Sequence, residues 1–444
     1  MNEKNKMGLI SIILLGINAV VGAGVFLLPG DAMKSFGVAS IFVYIFDMLL
    51  VLSMAFCFAE VAGKFNKNGA AYVYTKEAFG DFCGFEVGLM KWVIGCISWG
   101  ALIVGFPTSL SAVWAPAGEP HIQKIIIVAM IVGLTIINLL GVSLSKIVQN
   151  VITVGKLIPL ILFIGIGIFF IKGVNFTSST MVPPGAGATE FGAAATEFGA
   201  AALLMFYSFT GFESIAVAAE DMENPQKNIP IAIISVIVIA SIIYILNQVV
   251  CVGILGDSLS STSTPVADAA RICFGNMGAG LVTFGTLVSV GGICMCGAFV
   301  NPRSCVALAD DKMLPRIFAR KDKKGTPYVA IIATMLITIP IALSGSFAEL
   351  AAISAVARFI QYIPTSLSVL VFRKKRPELV GTFKTPFGAV IPLIAVCVGT
   401  WLLFQASMHQ LIMGLGALAI GVPLYFIMKS YNRKVYGENL KKIV

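Results

Sequence analysis

Two short glycine-containing segments interrupt long apolar stretches and carry the residues best suited to binding a small molecule. Gly22-Ala23-Gly24 lies inside the first stretch, and Ser208-Phe209-Thr210-Gly211 lies inside the sixth. Glycine lets the chain leave helical angles, and a helix that resumes at Val25 would direct free N–H groups at an anion. The carbonyl groups that end the preceding half-helices, near Val20 and Tyr207, suit an ammonium group. Together these ends favour an α-amino acid backbone as ligand.

A simpler explanation of Gly22-Ala23-Gly24 is close packing of small residues between membrane helices. The second interruption makes that explanation weaker. Backbone that leaves the helix at membrane depth is tolerated only where protein or a watery cavity satisfies its polar groups. Two interruptions at corresponding places therefore predict a central binding site.

Lys156 is the charged residue best placed for proton or ion chemistry. It falls about nine residues into the fifth apolar stretch, where burying an ammonium group is costly unless it is paired or deprotonated. A lysine that can lose its proton there is a candidate proton carrier. The alternative is a permanently charged tether to backbone carbonyl groups of the first stretch.

The elements that must position these residues are membrane-spanning helices. The chain is 58% apolar and only 12% charged, which excludes an ordinary soluble domain. Lys4 and Lys6 lead directly into a full-length apolar stretch, so we expect the first helix to be retained rather than cleaved as a signal peptide. The sequence predicts one all-α integral membrane domain over residues 1–444, with about twelve spans: 9–30, 38–62, 86–112, 123–141, 147–171, 198–219, 230–255, 277–308, 328–344, 348–372, 388–406 and 410–429.

The net charge of +9 follows membrane topology rather than nucleic-acid binding. Roughly 23 of the 31 Lys and Arg fall on the side that holds both termini. This bias predicts cytoplasmic termini in the cytoplasmic (inner or plasma) membrane. The densest basic stretches, 312–324, 373–376 and 429–442, suit lipid headgroups.

The sequence offers little for enzyme chemistry. The nine cysteines lie mostly in spans and show no paired extracellular spacing. Both histidines, His121 and His409, fall in predicted outer connections, and no HExxH, serine elbow, CxxC or ATP-binding motif appears. We expect no metal, no cofactor and no catalytic residue. Residues 188–201 read ATEFGAA twice, which we interpret as a local duplication in an outer loop.

Five segments resemble the amino acid/polyamine/organocation transporters, and they occur in the family's order along nearly the whole chain. They are GAGVFLLPG (22–30), AEVAGKFNKNGAAYVY (59–74), QNVITVGKLIPL (149–160), FYSFTGFESIAVAAEDMENPQKNIPIAI (206–233) and NPRSCVALADDKMLP (301–315).

The resemblance implies a twelve-helix fold of the LeuT type. Its core would consist of two inverted repeats of five spans, at approximately 9–171 and 198–372, with two appended helices at 388–429. The resemblance also implies that Gly22, Ala23 and Gly24 offer backbone donors to the substrate carboxylate. The carbonyl groups of Val20, Tyr207 and Thr210 would receive the amino group, and Gly211 completes the second motif.

Four positions bear on substrate binding. Many relatives have Ser where this chain has Ala23, so a hydroxyl contact is lost, and arginine/agmatine exchangers carry Trp where this chain has Tyr207. Tyr207 and Phe209 are candidate aromatic gates, although helix packing explains them equally well. Gly297 aligns where some relatives have Trp, which predicts room for a larger substrate side chain.

Two charged residues gain roles from the resemblance. Lys156 occupies the place where sodium-coupled relatives hold an ion, and it would bridge the first span to the eighth. Exchangers with this lysine need no proton movement, so the residue does not decide the coupling. Glu213 is either a gating or proton-linked carboxylate or a hydrogen-bond acceptor for the unwound backbone.

The remaining charged residues have no partners that the sequence identifies. Asp47, Lys91 and Arg358 lie within spans and are expected to face the helix bundle. Glu60, Arg303, Asp310 and Asp311 lie near predicted cytoplasmic span ends, where either inner-gate ion pairs or extension of the side chain to the membrane surface explains them.

The sequence thus predicts secondary transport by alternating access, with proton-coupled symport favoured. A neutral L-amino acid is the favoured substrate, because the pocket has no obvious acidic residue apart from Glu213. The alternative is an amino acid/amino acid or amino acid/amine exchanger. Transport of polyamines or cationic amino acids, a passive channel and a non-transporting sensor are weaker alternatives. We expect an amino acid substrate, membrane lipid and a proton as partners, no nucleic acid, and a monomer or homodimer.

Overall fold

The computed structural model of the chain describes residues 7–65, 70–141, 146–177, 188–323 and 325–436. The ordered elements in these ranges are almost entirely helical, and the one β pairing described there is an isolated bridge between Met7 and Met222. The α-helices are α1 (Leu9–Val20), α2 (Gly24–Phe36), α3 (Ser40–Ala62), α4 (Ala71–Phe79), α5 (Asp81–Leu110), α6 (Pro120–Leu139), α7 (Lys146–Gly167), α8 (Ala188–Phe206), α9 (Pro225–Leu255), α10 (Pro265–Asp310), α11 (Tyr328–Ser344), α12 (Phe347–Lys375), α13 (Val390–Phe404) and α14 (Met408–Tyr436).

The described helices include eight segments that are long and apolar enough to cross a membrane. Four shorter apolar helices accompany them, including α1, α11 and α13. Each predicted apolar stretch overlaps one or two of the helices, and the chain is a multi-pass membrane protein. The eight long segments are Gly24–Ala62, Asp81–Leu110, Pro120–Leu139, Ile152–Phe170, Pro225–Ser261, Pro265–Asp310, Phe347–Lys375 and Met408–Arg433.

The first apolar stretch is two helices, as predicted. Helix α1 ends at Val20, and α2 begins at Gly24. The predicted resumption at Val25 is therefore one residue late, because Ala23 already has helical angles and caps α2. Residues 21–23 form the interruption.

The sixth stretch is interrupted more extensively. Helix α8 ends at Phe206, and a 3-10 turn follows at Tyr207–Phe209. Gly211 then adopts a left-handed conformation with φ of 114°. The chain continues as a second 3-10 segment, Phe212–Asp221.

The duplicated segment at 188–201 is not a loop, so that prediction is wrong. It forms the first part of α8, which begins at Ala188. Alanine and glutamate favour helix, and the one glycine in each repeat costs only about 1 kcal/mol relative to alanine. The segment therefore extends the sixth stretch instead of leading into it.

The two interruptions lie in the same buried core. Val20, Ala23, Tyr207 and Phe209 all belong to one continuous hydrophobic cluster. Aromatic rings from α12 close part of this cluster, because Phe359 stacks on Phe206 with centroids 4.8 Å apart. Helix packing thus brings together two segments that are about 190 residues apart in sequence.

Candidate functional site

The first interruption presents unpaired amide groups at the start of α2. The N–H groups of Phe26 and Leu27 donate to the carbonyl oxygen of Ala23, at 3.1 and 3.0 Å. The first N–H groups of a helix have no acceptor within that helix, so α2 itself offers none to the amides of Ala23, Gly24 and Val25. Two of these groups, the Ala23 and Gly24 amides, are among the three that we predicted to bind the substrate carboxylate, and the third, Gly22, directly precedes them.

The second interruption satisfies much of its own backbone. Thr210 donates twice to the carbonyl oxygen of Tyr207, from its N–H at 3.1 Å and its hydroxyl at 2.7 Å. The Ser214 hydroxyl donates to the carbonyl of Gly211 at 2.5 Å. A carbonyl oxygen has two lone pairs, so Thr210 already occupies both at the Tyr207 carbonyl that we predicted for the substrate ammonium group.

The two interruptions touch each other at two glycines. A Cβ atom built on Gly24 would lie 2.5 Å from Ser208 Oγ and 3.2 Å from Ser208 Cα. A Cβ built on Gly211 would lie 2.5 Å from the carbonyl oxygen of Ala19. Both positions therefore need glycine, and Gly211 needs it also for its positive φ.

Tyr244 of α9 joins the ends of both half-helices. Its hydroxyl oxygen lies 2.9 Å from the carbonyl oxygen of Val20 and 2.9 Å from that of Ser208. One hydroxyl proton serves both carbonyls, and the Val20 carbonyl that we predicted for the substrate already has this protein partner. Sequence reasoning missed Tyr244, because a tyrosine in an apolar helix gives no local signal of its partner.

The next turn of α9 contacts the start of α2. Asn247 donates to the carbonyl oxygen of Val25 at 2.8 Å, and Gln248 donates to the hydroxyl of Ser40 at 2.9 Å. All three side chains are buried. The side-chain amide groups of α9 therefore stabilise the helix that follows the first interruption.

Lys156 is fully buried and hydrogen bonded to the first interruption. Its ammonium group donates to the carbonyl oxygens of Asn18 at 2.8 Å and Val21 at 2.6 Å. The same helix packs on α10, because a Cβ on Gly285 would lie 2.7 Å from Pro159 Cγ. The contacts fit the tether that the sequence left open, since two carbonyl groups at a helix end stabilise an ammonium charge.

Glu213 has a basic partner that the sequence did not identify. Its carboxylate forms an ion pair with Arg358 of α12 and accepts from the Tyr362 hydroxyl at 2.8 Å. It also accepts from the Gly211 N–H at 2.9 Å. Arg358 donates to the Ser98 hydroxyl of α5 at 3.0 Å. The carboxylate thus bonds the unwound backbone, as one of the two interpretations expected, and links it to α12.

The Trp99 indole lies beside Gly297, where we expected room for a larger substrate side chain, and that room stays a prediction. A Cβ on Gly297 would lie 3.0 Å from Cδ1 of Trp99, and the Trp99 indole N–H donates to the carbonyl oxygen of Cys294 at 2.9 Å. Trp99 comes from α5, so the sequence around Gly297 gives no sign of it. An indole from another helix fills the position where some relatives carry their own tryptophan.

The two aromatic residues of the second interruption are packed. Phe209 is fully buried, with ring centroids 5.0 Å from Tyr244 and 6.3 Å from Tyr44. Tyr207 meets Phe347 of α12 edge to face at 5.9 Å. These contacts suit residues that hold the interruption closed, and they leave the gating role as a prediction.

An ion pair forms at the far end of α3, where we expected an inner gate. Arg373 binds Glu60 through both carboxylate oxygens, at 2.8 and 2.5 Å, and the Thr385 N–H adds a bond of 2.7 Å. By contrast, Arg303 donates to the carbonyl of Phe299 in its own helix. The sequence identified Glu60 but not its partner, which is 313 residues away.

A sequence model of the family described as "Amino acid permease" matches residues 7–425. Three similar proteins come from Bacillus subtilis. The methylthioribose transporter is 27% identical, with 95% of this chain and 92% of the relative covered. A branched-chain amino acid permease is 26% identical, with coverage of 97% and 94%, and a serine/threonine exchanger is 26% identical, with coverage of 96% and 97%. The family and these relatives are transporters rather than enzymes.

Proposed function

The chain belongs to the amino acid permease family, and from this premise we propose that it carries a neutral L-amino acid by alternating access, with proton symport as the favoured mode. The substrate would lie between the two interruptions. The carboxylate would bind the amides of Gly22, Ala23 and Gly24. The amino group would bind the carbonyls of Val20, Tyr207 and Thr210, in competition with Tyr244 at Val20 and with Thr210 at Tyr207.

The observation that carries the proposal is the contact between the two interruptions at Gly24 and Ser208. Helix ends of opposite polarity meet there, with amide groups from α2 and carbonyl groups from α1 and α8. This arrangement recognises the zwitterionic part that all α-amino acids share. Alternating access of two inverted repeats, at 9–171 and 198–372, would expose the site to each side in turn.

The state of Glu213 favours a neutral side chain on the substrate. Glu213, the acidic residue that we identified beside the second interruption, already pairs with Arg358 and Tyr362. A cationic substrate would have to displace Arg358 to gain that carboxylate. Relatives named for branched-chain amino acids and for serine and threonine are consistent with a neutral substrate.

Exchange is the second candidate, and the Lys156 geometry favours it. An ammonium group that is bonded to two carbonyls can remain charged throughout the cycle, and then no proton need move through it. The exchanger among the relatives is compatible with this mode.

We would test the function in proteoliposomes with a panel of labelled L-amino acids. The panel would be measured with and without an inward proton gradient, and with empty or amino-acid-loaded vesicles. Gradient-driven uptake into empty vesicles supports symport, and uptake only into loaded vesicles supports exchange. No uptake of any amino acid would refute the proposal and direct attention to polyamines, sugar derivatives or a sensor role.

The same reasoning extends to location. We propose that the protein lies in the cytoplasmic membrane with both termini inside, as the distribution of Lys and Arg favours. Labelling of single cysteines introduced at the exposed positions Lys124 and Lys323 with an impermeant thiol reagent, in a background that lacks reactive native thiols, tests the orientation. Reaction at position 124 but not 323 in intact cells is expected.

A further inference from the structure

Asp47 is a buried carboxylic acid without a partner in the part of the chain that the structure describes. It lies on α3 and is fully buried. Neither carboxylate oxygen has a hydrogen-bond partner there. The buried carboxylates of Glu213 and Glu60 differ in this respect, since Glu213 pairs with Arg358 and Glu60 pairs with Arg373.

An ionised carboxylate at such a place would be unfavourable. The apolar bundle does not solvate the charge, and no basic group neutralises it. A carboxylic acid that retains its proton avoids this cost. The protonated group still lacks a hydrogen-bond acceptor, which is an unusual state for a polar group that contributes only to packing.

The surroundings link Asp47 to the site and to the end of α3 that begins at Ser40. Ser40, Tyr44 and Asp47 are spaced by four and three residues, so they lie on one face of α3. Gln248 of α9 binds the Ser40 hydroxyl at 2.9 Å. The Tyr44 ring meets Phe209 of the second interruption, with centroids 6.3 Å apart. Movement of the second interruption would therefore disturb this face.

The titratable groups around this face are few. Asp31 of α2 lies within electrostatic reach of Tyr44, together with Tyr244 and Cys251 of α9. On the other helices packed against α3, Tyr362 and Arg358 of α12 are bonded to Glu213, while Glu197 of α8 and Cys397 of α13 are exposed at the surface of the bundle. Asp47 is the carboxyl group in this set that lies deepest in the bundle without a counter-charge.

We propose that Asp47 takes up and releases the proton that drives substrate uptake. An O–H bond forms at the carboxylate when the Ser40 end of α3 is open to water, and the same bond breaks when the bundle opens on the opposite side. One proton is thus carried for each cycle, and no other reactant is required. The inference rests on the proposed function, and it assigns coupling to Asp47 instead of Lys156.

The first experiment compares Asp47→Asn with wild type in proteoliposomes. The variant is expected to lose the stimulation of uptake by an inward proton gradient, so that uptake falls to the level measured without a gradient. Counterflow of unlabelled substrate inside the vesicles against labelled substrate outside should continue, because this exchange needs no net proton movement. Gradient-driven uptake by Asp47→Asn equal to that of wild type would overturn the inference.

Glu86→Gln is the matched control. Glu86 of α5 is also buried with two unpartnered carboxylate oxygens, but it lies against Gly421 of α14, away from the interruptions. The control should retain stimulation by the gradient. Loss of stimulation in Glu86→Gln but not in Asp47→Asn would show that α5, and not α3, carries the proton. If wild type transports amino acids without any response to the gradient, the inference fails, while amino acid transport stands with exchange as its mode.

Two further measurements hold even where the asparagine variant folds poorly. Asp47→Glu keeps a carboxyl group and should retain stimulation with an altered pH profile. In detergent, a pH-sensitive dye should report proton exchange when a transported amino acid is added to wild type. The absence of both effects would contradict the proposal.

Discussion

Glu213, two residues beyond the second interruption, is ion paired with Arg358 of α12. The same carboxylate accepts the Gly211 N–H at 2.9 Å and the Tyr362 hydroxyl at 2.8 Å. Backbone that has left the helix is thus fixed to a neighbouring helix by one side chain. Because a buried charge without its partner is costly, this pair sets how firmly the second interruption is held.

Arg358→Met should destabilise the protein by about 3–5 kcal/mol, because Glu213 would remain as an unpaired buried charge. Thermal unfolding in detergent measures the loss. Glu213→Gln combined with Arg358→Met should be less harmful than the sum of the single changes, since both charges are then absent. Arg303→Gln is the control, and additive losses in the double variant would argue against the pair.

Gly24→Leu should abolish uptake while folded protein is still obtained, because the side chain would occupy the place of the substrate carboxylate and meet Ser208. Gly24→Ala should reduce uptake less, and Ser208→Gly should partly restore it by removing the contact at 2.5 Å. Gly133→Ala in α6, where a Cβ meets nothing within 4 Å, serves as the control. Normal uptake by Gly24→Leu would refute the carboxylate site.

Gly211→Ala should impair both folding and uptake for two separable reasons. The φ of 114° costs a side chain roughly 1–2 kcal/mol, and the added Cβ meets the carbonyl of Ala19. Gly388→Ala isolates the first effect, since Gly388 has φ of 61° and open space around it. Thermal shifts of equal size for the two variants would show that the contact with Ala19 is unimportant.

Lys156→Met separates tether from proton carrier. From the sequence, loss of pH dependence is expected if Lys156 carries the proton. From its bonds to Asn18 and Val21 we expect instead that gradient-driven uptake and counterflow fall together, with the pH profile unchanged. Rates measured from pH 5 to pH 8 distinguish the two. A variant that transports at the wild-type rate would deny Lys156 either role.

Arg373→Met should lower stability by about 2–3 kcal/mol, because the buried Glu60 carboxylate loses two hydrogen bonds.

Arg376→Met is the control on the surface. Arg376 donates to Glu378 and lowers the pKa of that carboxyl. The pair therefore helps above the ordinary pKa of glutamate and loses its effect as pH falls through the lowered value, but exposure to water makes the effect small. Equal losses for both variants would contradict the role of burial.

Local sequence was enough for the helices and for the positions of both interruptions. Long apolar stretches predict spans because lipid cannot satisfy open backbone, and glycine at 22, 24 and 211 marks where the chain departs from the helix. The duplicated segment at 188–201 was misjudged because its meaning depended on composition that suits helix as well as loop. The helix at this segment forms because local helix propensity and tertiary packing act together.

Side-chain partners that lie far apart in sequence could not be predicted from the local sequence. Arg358, Asp47 and Lys91 were recognised as charges that must face the bundle, yet only the packing of α12 against the second interruption joins Arg358 to Glu213. Trp99 and Tyr244 gave no signal at all, since an aromatic residue in an apolar helix fits many environments.

The sequence by itself determined the class of protein, the number of apolar stretches and the two places where the helix is interrupted, because these follow from hydrophobicity and from glycine over a few neighbouring residues. The tertiary structure decided which charges are neutralised and which are not. Ion pairs and filled spaces join residues that are more than 100 positions apart, and their energy depends on distance and burial. Asp47 illustrates the difference: its chemistry is visible in the sequence, and its lack of a partner among the described residues is visible only in the fold.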